Sequence, residues 1–198
     1  MNLGLSGSLR VVGIDEGYFP PEFKRKRLQT ILVAVLCDWT IPVDVKISRV
    51  IVDYDNVNER ILKLLSRFKV RPNILILDGV TYAGFNVVNP KLLNAKLGMP
   101  VITVFKHDLN MERIRVALRK HFNDWAYRFD VIHSTYTNSH LIHTPWRPLR
   151  ISAYGMDRSA VVNLIIGLQK ISPIPEPLRL ADVIASGLTK NSGLLDIL

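Results

Sequence analysis

Apolar residues run unbroken or with period two through the first quarter of the chain and switch to helical spacing beyond it. Arg10-Val-Val-Gly-Ile-Asp15 reads as a strand that stops at Glu16-Gly17. Gln29 to Cys37 is a β-branched run long enough for a second strand, and Val43 to Tyr54 reads as a third. Asp38-Trp39-Thr40-Ile41-Pro42 supplies the turn between the last two, so the start of the chain predicts an antiparallel meander. Between the first two strands, Phe19-Pro20-Pro21-Glu22-Phe23 and Lys24-Arg25-Lys26-Arg27 read as a loop carrying a charge cluster.

After Asp55-Asn56 the period changes. Val57, Ile61, Leu64, Leu65 and Phe68 fall on one helical face with Arg60, Lys63 and Arg67 opposite, which predicts an amphipathic helix. Asn73-Ile-Leu-Ile-Leu-Asp78 is a short apolar run of the kind that forms a buried parallel strand. Asn89-Pro90 starts a helix that Gly98 ends, Val101 to Phe105 is a strand, and Asp108 can cap a helix that turns Met111, Ile114, Leu118 and Phe122 inward. Beyond these the pattern predicts a strand near Phe129 to Ile132, a loop rich in His and Pro, a strand near Arg150 to Tyr154, and helices over about 158–170 and 177–190. The order β-β-β-α-β-α-β-α departs from strict βαβ alternation. It fits an α/β fold with a ribonuclease H-like mixed sheet, a three-strand meander extended by parallel strands and flanked by helices.

The composition bounds this picture. The 198 residues are 48% hydrophobic and no repeat or linker interrupts them, so we expect a single domain over 1–198 with its own core. Cys37 is the only cysteine, which excludes a disulfide within the chain and fits a reducing cytoplasm. The first ten residues lack a signal-peptide pattern, and the longest apolar run, Ile31 to Cys37, is far shorter than a bilayer span, so no membrane partner is expected. With 26 Lys and Arg against 17 Asp and Glu, the chain carries a formal charge of +9, which favours a polyanionic partner such as nucleic acid.

Candidate chemistry lies where strands end in acids. Asp15 closes the first strand and Asp78 the fourth, each followed by glycine within two residues. In a meander with a parallel extension those strands lie side by side, so the two carboxylates converge, and a cation between them would relieve their repulsion. Asp-Gly also simply starts turns. Asp53 and Asp55 offer a further acid after the third strand, or an N-cap for the next helix. Ile174-Pro-Glu-Pro-Leu-Arg-Leu-Ala-Asp182 is a Pro-started helix in which Arg179 and Asp182 can form an ordinary ion pair. His140-Leu-Ile-His143 lacks the partners of a zinc site, and Gly79 and Gly84 lack the Lys-Ser/Thr ending of a phosphate loop, so no nucleotide cofactor is expected.

Four strings, in order, resemble endonuclease V: Val12-Gly-Ile-Asp15; Ile76-Leu-Asp-Gly79; Gly98-Met-Pro-Val-Ile-Thr-Val-Phe-Lys106; and Ile174 to Asp182. Asp78-Gly-Val-Thr-Tyr-Ala-Gly-Phe-Asn86 and Glu176 to Asp182 look especially like its archaeal relatives described as endonuclease dU, and the resemblance covers nearly the whole chain. It implies an endonuclease that hydrolyses a phosphodiester near a deaminated base, deoxyuridine or deoxyinosine, in DNA repair, using Mg2+ with Mn2+ as a substitute. Asp15, Asp78 and Asp182 match the family's metal-site aspartates and Lys106 its catalytic lysine, while Asp53 or Asp55 stands where a glutamate is expected.

Wedge candidates for the hole left by an extruded base are Trp39 and Ile41 ahead of the third strand and Phe19 close to Asp15; Tyr82 is a further nucleic-acid-binding candidate. Lys24, Arg25, Lys26 and Arg27, with Arg113, Arg119 and Lys120, can track the backbone. Two other functions stay open on the sequence: a ribonuclease acting on inosine-containing or structured RNA, and a non-catalytic nucleic-acid-binding module.

Overall fold

The computed structural model describes residues 9–190, apart from the Arg25 side chain. The described residues form nine strands: β1 (Arg10–Glu16), β2 (Gln29–Asp38), β3 (Ile41–Ile51), β4 (Ile74–Asp78), β5 (Thr81–Tyr82), β6 (Asn86–Val87), β7 (Val101–Phe105), β8 (His140–Ile142) and β9 (Leu149–Tyr154). Seven of them form one sheet in the order β3-β2-β1-β4-β7-β9-β8, and β5 and β6 make a separate hairpin. β1, β2 and β3 form the expected antiparallel meander, and β4 and then β7 extend it parallel to β1. β9 and β8 complete the far edge in antiparallel pairing.

Helices cover both faces, which is why the central strands read as continuous apolar runs rather than alternating ones. On one face Val12, Ile14, Leu75 and Leu77 pack against α2 (Val57–Leu65) and α3 (Pro90–Leu97). On the other, Val11, Ile74 and Ile76 meet α6 (Arg158–Leu168) and the start of α7 (Glu176–Lys190), while Ile31, Val33 and Val35 meet Ala181 and Ala185 of α7. α7 lies very close to β1. A Cβ on Gly13 would fall 2.3 Å from the Pro177 carbonyl carbon, and one on Gly17 would fall 2.4 Å from Thr189 Cγ2. Glycine at both positions lets the helix backbone rest on the strand.

The structure departs from the sequence expectations in several places. The strand expected near Phe129 to Ile132 lies inside α5 (Trp125–Thr137), where Trp125, Phe129, Ile132 and Tyr136 recur at helical spacing and pack under α4 (Met111–His121). The basic cluster forms a short helix, α1 (Glu22–Lys26), and part of the His-rich loop is β8. Asp108 does not cap α4; Asn110 does, its side chain accepting the Arg113 N–H at 3.0 Å. No helix of the described residues is long and apolar enough to cross a membrane.

Candidate active site

The parallel pairing of β1 with β4 and of β4 with β7 brings the carboxyl ends of three strands side by side. These ends carry Asp15, Asp78 and, just beyond β7, Lys106. The Lys106 ammonium lies 3.6 Å from Asp15 Oδ2 and makes a tight ion pair with Asp78 Oδ2. Asp15 shares with Gly13 and Gly17 the face that α7 covers, because strand residues alternate sides. α7 meets β1 at Leu178 beside Gly13 and at Thr189 beside Gly17. Asp182 falls between these two points, and its charge acts on both Asp15 and Lys106. Arg179 is not its partner: it grips Glu176 with two hydrogen bonds of 2.8 and 2.7 Å, leaving Asp182 to accept from Ser186 Oγ at 3.2 Å.

The site is electrostatically loaded. Burial and then the neighbouring Asp78 raise the Asp15 carboxyl to about 7, although Lys106 and the Glu16 N–H bond on Oδ1 pull the other way. Glu16 adds a fourth carboxyl, which burial, Asp15 and Asp78 push well above the usual carboxylate range. Burial lowers the Lys106 pKa, but Asp78 and Asp15 outweigh it, and the net shift is upward. Asp78, Asp15 and Asp182 thus all act on the single lysine, and Asp15 and Asp78 press in turn on Glu16. The sequence pattern did not single out Glu16 as a functional group; two adjacent acids at the end of an apolar strand were the signal for it.

Tyr82 has a different role from the nucleic-acid contact expected of it. Its side chain is fully buried, and its hydroxyl accepts the Asp78 N–H at 2.7 Å and donates to the Ile14 carbonyl at 3.0 Å. It ties the ends of β1 and β4 together beneath the two aspartates.

The sequence model of the endonuclease dU family matches residues 7–189. The chain belongs to this family. Among its relatives, the UPF0215 protein of Thermococcus sibiricus is 38% identical over 183 residues, 91% of this chain and 92% of its own length. An Archaeoglobus fulgidus protein of unknown function superposes with a TM-score of 0.76 at 19% identity, over 90% of this chain and 96% of that one. Ciona intestinalis endonuclease V, solved with a 24mer DNA containing an inosine followed by a ribo-adenosine, superposes with a TM-score of 0.62 at 18% identity, over 98% of this chain and 89% of that one. The fold is that of endonuclease V, and membership of the endonuclease dU family supports a nuclease.

The remaining candidates fall elsewhere in this endonuclease dU fold. Trp39 and Ile41 sit at the β2–β3 turn, and the register Arg10↔Asp38 puts that turn at the opposite end of β1 from Asp15. Five strand residues separate the two levels, roughly 17 Å, and Trp39 packs on Gly167 of α6. Neither residue reaches the acids as a wedge, which corrects that expectation. Phe19 is half-buried against the core, with Lys24 Nζ 5.9 Å from its ring centre. Asp53 does not join the acid cluster; its Oδ1 accepts the Phe85 N–H at 2.7 Å, at the tip of the β5–β6 hairpin. Asp55 is exposed and lines a hollow with Arg27 and His121. Lys24, Lys26 and Arg27 are exposed at the carboxyl end of the sheet, and the Arg25 side chain lies outside the described residues.

Proposed function

We propose that this protein is a divalent-metal-dependent endonuclease that hydrolyses a phosphodiester in DNA near a deaminated base, deoxyuridine or deoxyinosine, as part of DNA repair. The observation that carries the reading is the meeting of Asp15, Asp78 and Lys106 at the ends of three adjacent strands, with Asp182 set over them by α7. Among the described residues no three acidic, histidine or cysteine side chains form a closed metal cage. The donor set nonetheless suits a hard divalent cation: several carboxylates, of which Asp15 is raised to about 7 by burial and then by Asp78, face a single lysine that cannot neutralise them all. Asp15 and Asp78 would hold the ion, with Asp182 holding or ordering a water beside it. When bound, such an ion acidifies a water ligand and offsets charge on the phosphate.

The residues themselves supply the rest. Lys106 is a flexible point cation 3.6 Å from Asp15 Oδ2, placed to move from the carboxylates onto a phosphate oxygen when the strand arrives. Tyr82 fixes the Asp78 backbone relative to β1, so the two aspartates keep their spacing under charge. Lys24, Lys26 and Arg27 on α1 and just after it, with Arg113, Arg119 and Lys120 on α4, provide exposed positive charge for the nucleic-acid backbone. DNA as partner is supported by the endonuclease V neighbour solved with inosine-containing DNA. The test is incubation with Mg2+ and labelled strands carrying dU, dI, an abasic site or rI. Cleavage of the dU or dI strands supports the reading, cleavage of RNA alone moves it to a ribonuclease, and no cleavage leaves a binding module.

A further inference from the structure

β3 is the outer strand of the seven-stranded sheet, and no strand of the described residues pairs with its far side. The direction of its backbone groups follows from its pairing with β2. Just past the end of β3, the Val52 N–H bonds to the Leu28 carbonyl, so even-numbered residues turn their backbone groups towards β2 and odd-numbered residues turn theirs out of the sheet. The Ile47 and Ile51 carbonyls fit this pattern, because they accept from the side chains of Arg67 and Asn86. At the other end of the strand the register with β2 slips beside Leu36 and Cys37, and Pro42 has no N–H to offer. Bulge and proline together close that end to another strand. The stretch left open is Val43 to Arg49.

Edges of this kind are normally charged or covered. This one is apolar: Ile41, Val43 and Val45 are 68%, 55% and 37% exposed. Val45 shares a face of the sheet with Ile47, which packs against the Ile31, Val33 and Val35 cluster beneath α7. On the opposite face Asp44 Oδ1 and Lys46 Nζ pair at 2.8 Å, and Lys46 Nζ lies 5.6 Å from the centre of the Phe68 ring. The open stretch thus has an apolar side and a side that carries one charge of each sign.

We propose that a second copy of this chain pairs with this edge, antiparallel, about a two-fold axis at Val45. An interface of that symmetry must be complementary to itself, and this register is. Val45 meets its own counterpart, Val43 meets Ile47, and Asp44 of each chain stands opposite Lys46 of the other, so that the two ion pairs become a cluster of four alternating charges. Other registers lose this match. An axis between two residues sets an inward-turned backbone against an outward-turned one. An axis at Ile47 puts Lys46 against Ser48 and Val45 against Arg49, and an axis at Val43 runs through the bulge. The two seven-stranded sheets join into one, with the axis normal to it. The carboxyl ends of the two β1 strands then point in opposite directions, and each copy keeps its own acid cluster open. This pairing does not depend on the nuclease reading.

Sedimentation equilibrium of the full chain, in EDTA and without nucleic acid, tests it. A species of twice the chain mass should form at micromolar concentration. Val45→Lys brings two ammonium groups together on the axis and should leave a monomer with an unchanged circular dichroism spectrum. Lys46→Glu sets a carboxylate against Asp44 at two places and should weaken association by roughly tenfold, and combining it with Asp44→Lys should restore the affinity to within about threefold. These last two variants decide the matter even if Val45→Lys fails to fold. A monomer at every concentration up to the solubility limit overturns the proposal and leaves the edge to a different partner. A folded Val45→Lys protein that still dimerises, or a double exchange that does not recover association, overturns the register at Val45.

Discussion

The Tyr82 hydroxyl bridges Asp78 and Ile14, accepting the Asp78 N–H at 2.7 Å and donating to the Ile14 carbonyl at 3.0 Å, wholly shielded from water. One buried phenol thereby sets the distance between the strands that carry the two aspartates. Tyr82→Phe keeps the ring and its packing but strands a buried N–H and a buried carbonyl. We expect a loss of about 1–3 kcal/mol in stability, with cleavage falling further than substrate binding. Chemical denaturation and a comparison of kcat with KM measure the two effects; a fall confined to KM would place Tyr82 outside the positioning of Asp78.

Gly13 should tolerate no side chain. A Cβ there would meet Pro177 and Leu178 backbone atoms at 2.3–2.4 Å, and backbone cannot step aside as a flexible side chain can. Gly13→Ala should cost upwards of about 1–3 kcal/mol, and the lifting of α7 should carry Asp182 away from Asp15. Thermal unfolding reads the first effect, and reduced Mg2+ stabilisation of the folded variant reads the second.

Asp15 also predicts how stability varies with pH. Its folded-state pKa of about 7 lies above the ordinary value of 3.8, so between these limits the folded protein binds a proton that the unfolded chain releases. The stability that the neutral carboxyl confers is complete below pH ~4 and is lost as pH rises towards ~7. Glu16, shifted the same way, adds to the trend. In EDTA the thermal midpoint should fall from pH 5 to pH 8. Asp15→Asn should flatten that fall and raise the midpoint at pH 8, and Mg2+ should oppose the fall in the unsubstituted protein. A midpoint rising with pH would contradict the crowding of acids.

The exposed cations on and beside α1 should act through salt. Replacing Lys24, Lys26 and Arg27 with Gln should reduce the slope of log K against log[salt] for DNA binding by roughly one for each phosphate that these side chains neutralise. An unchanged slope removes that surface from the backbone path.

Much of the fold was legible because β-branched runs, a change of period after Asn56 and strands ending in Asp are local signals. They yielded the meander, its parallel extension, and the nearness of Asp15 to Asp78. The features that were not legible depend on long-range relations. Antiparallel pairing returns the β2–β3 turn to the start of β1, so Trp39 could not stand beside Asp15. Tyr82 carries a polar tip that is equally suited to ligand or core, and only the burial of its ring decides between them. The stretch Phe129 to Ile132 is apolar enough for a strand, and its helical period emerges only when Trp125 and Tyr136 are counted with it. Asp53 follows a strand as Asp15 and Asp78 end theirs, yet its backbone at φ 56° turns the chain towards the β5–β6 hairpin.

The central claim is that Asp15, Asp78 and Lys106 form a metal-assisted phosphodiesterase site, and Asp78→Asn tests it most directly. With a labelled dU- or dI-containing duplex in Mg2+, the variant should bind with nearly the affinity of the unsubstituted protein and should leave the strand uncut. Cleavage by Asp78→Asn at the unsubstituted rate would contradict the account.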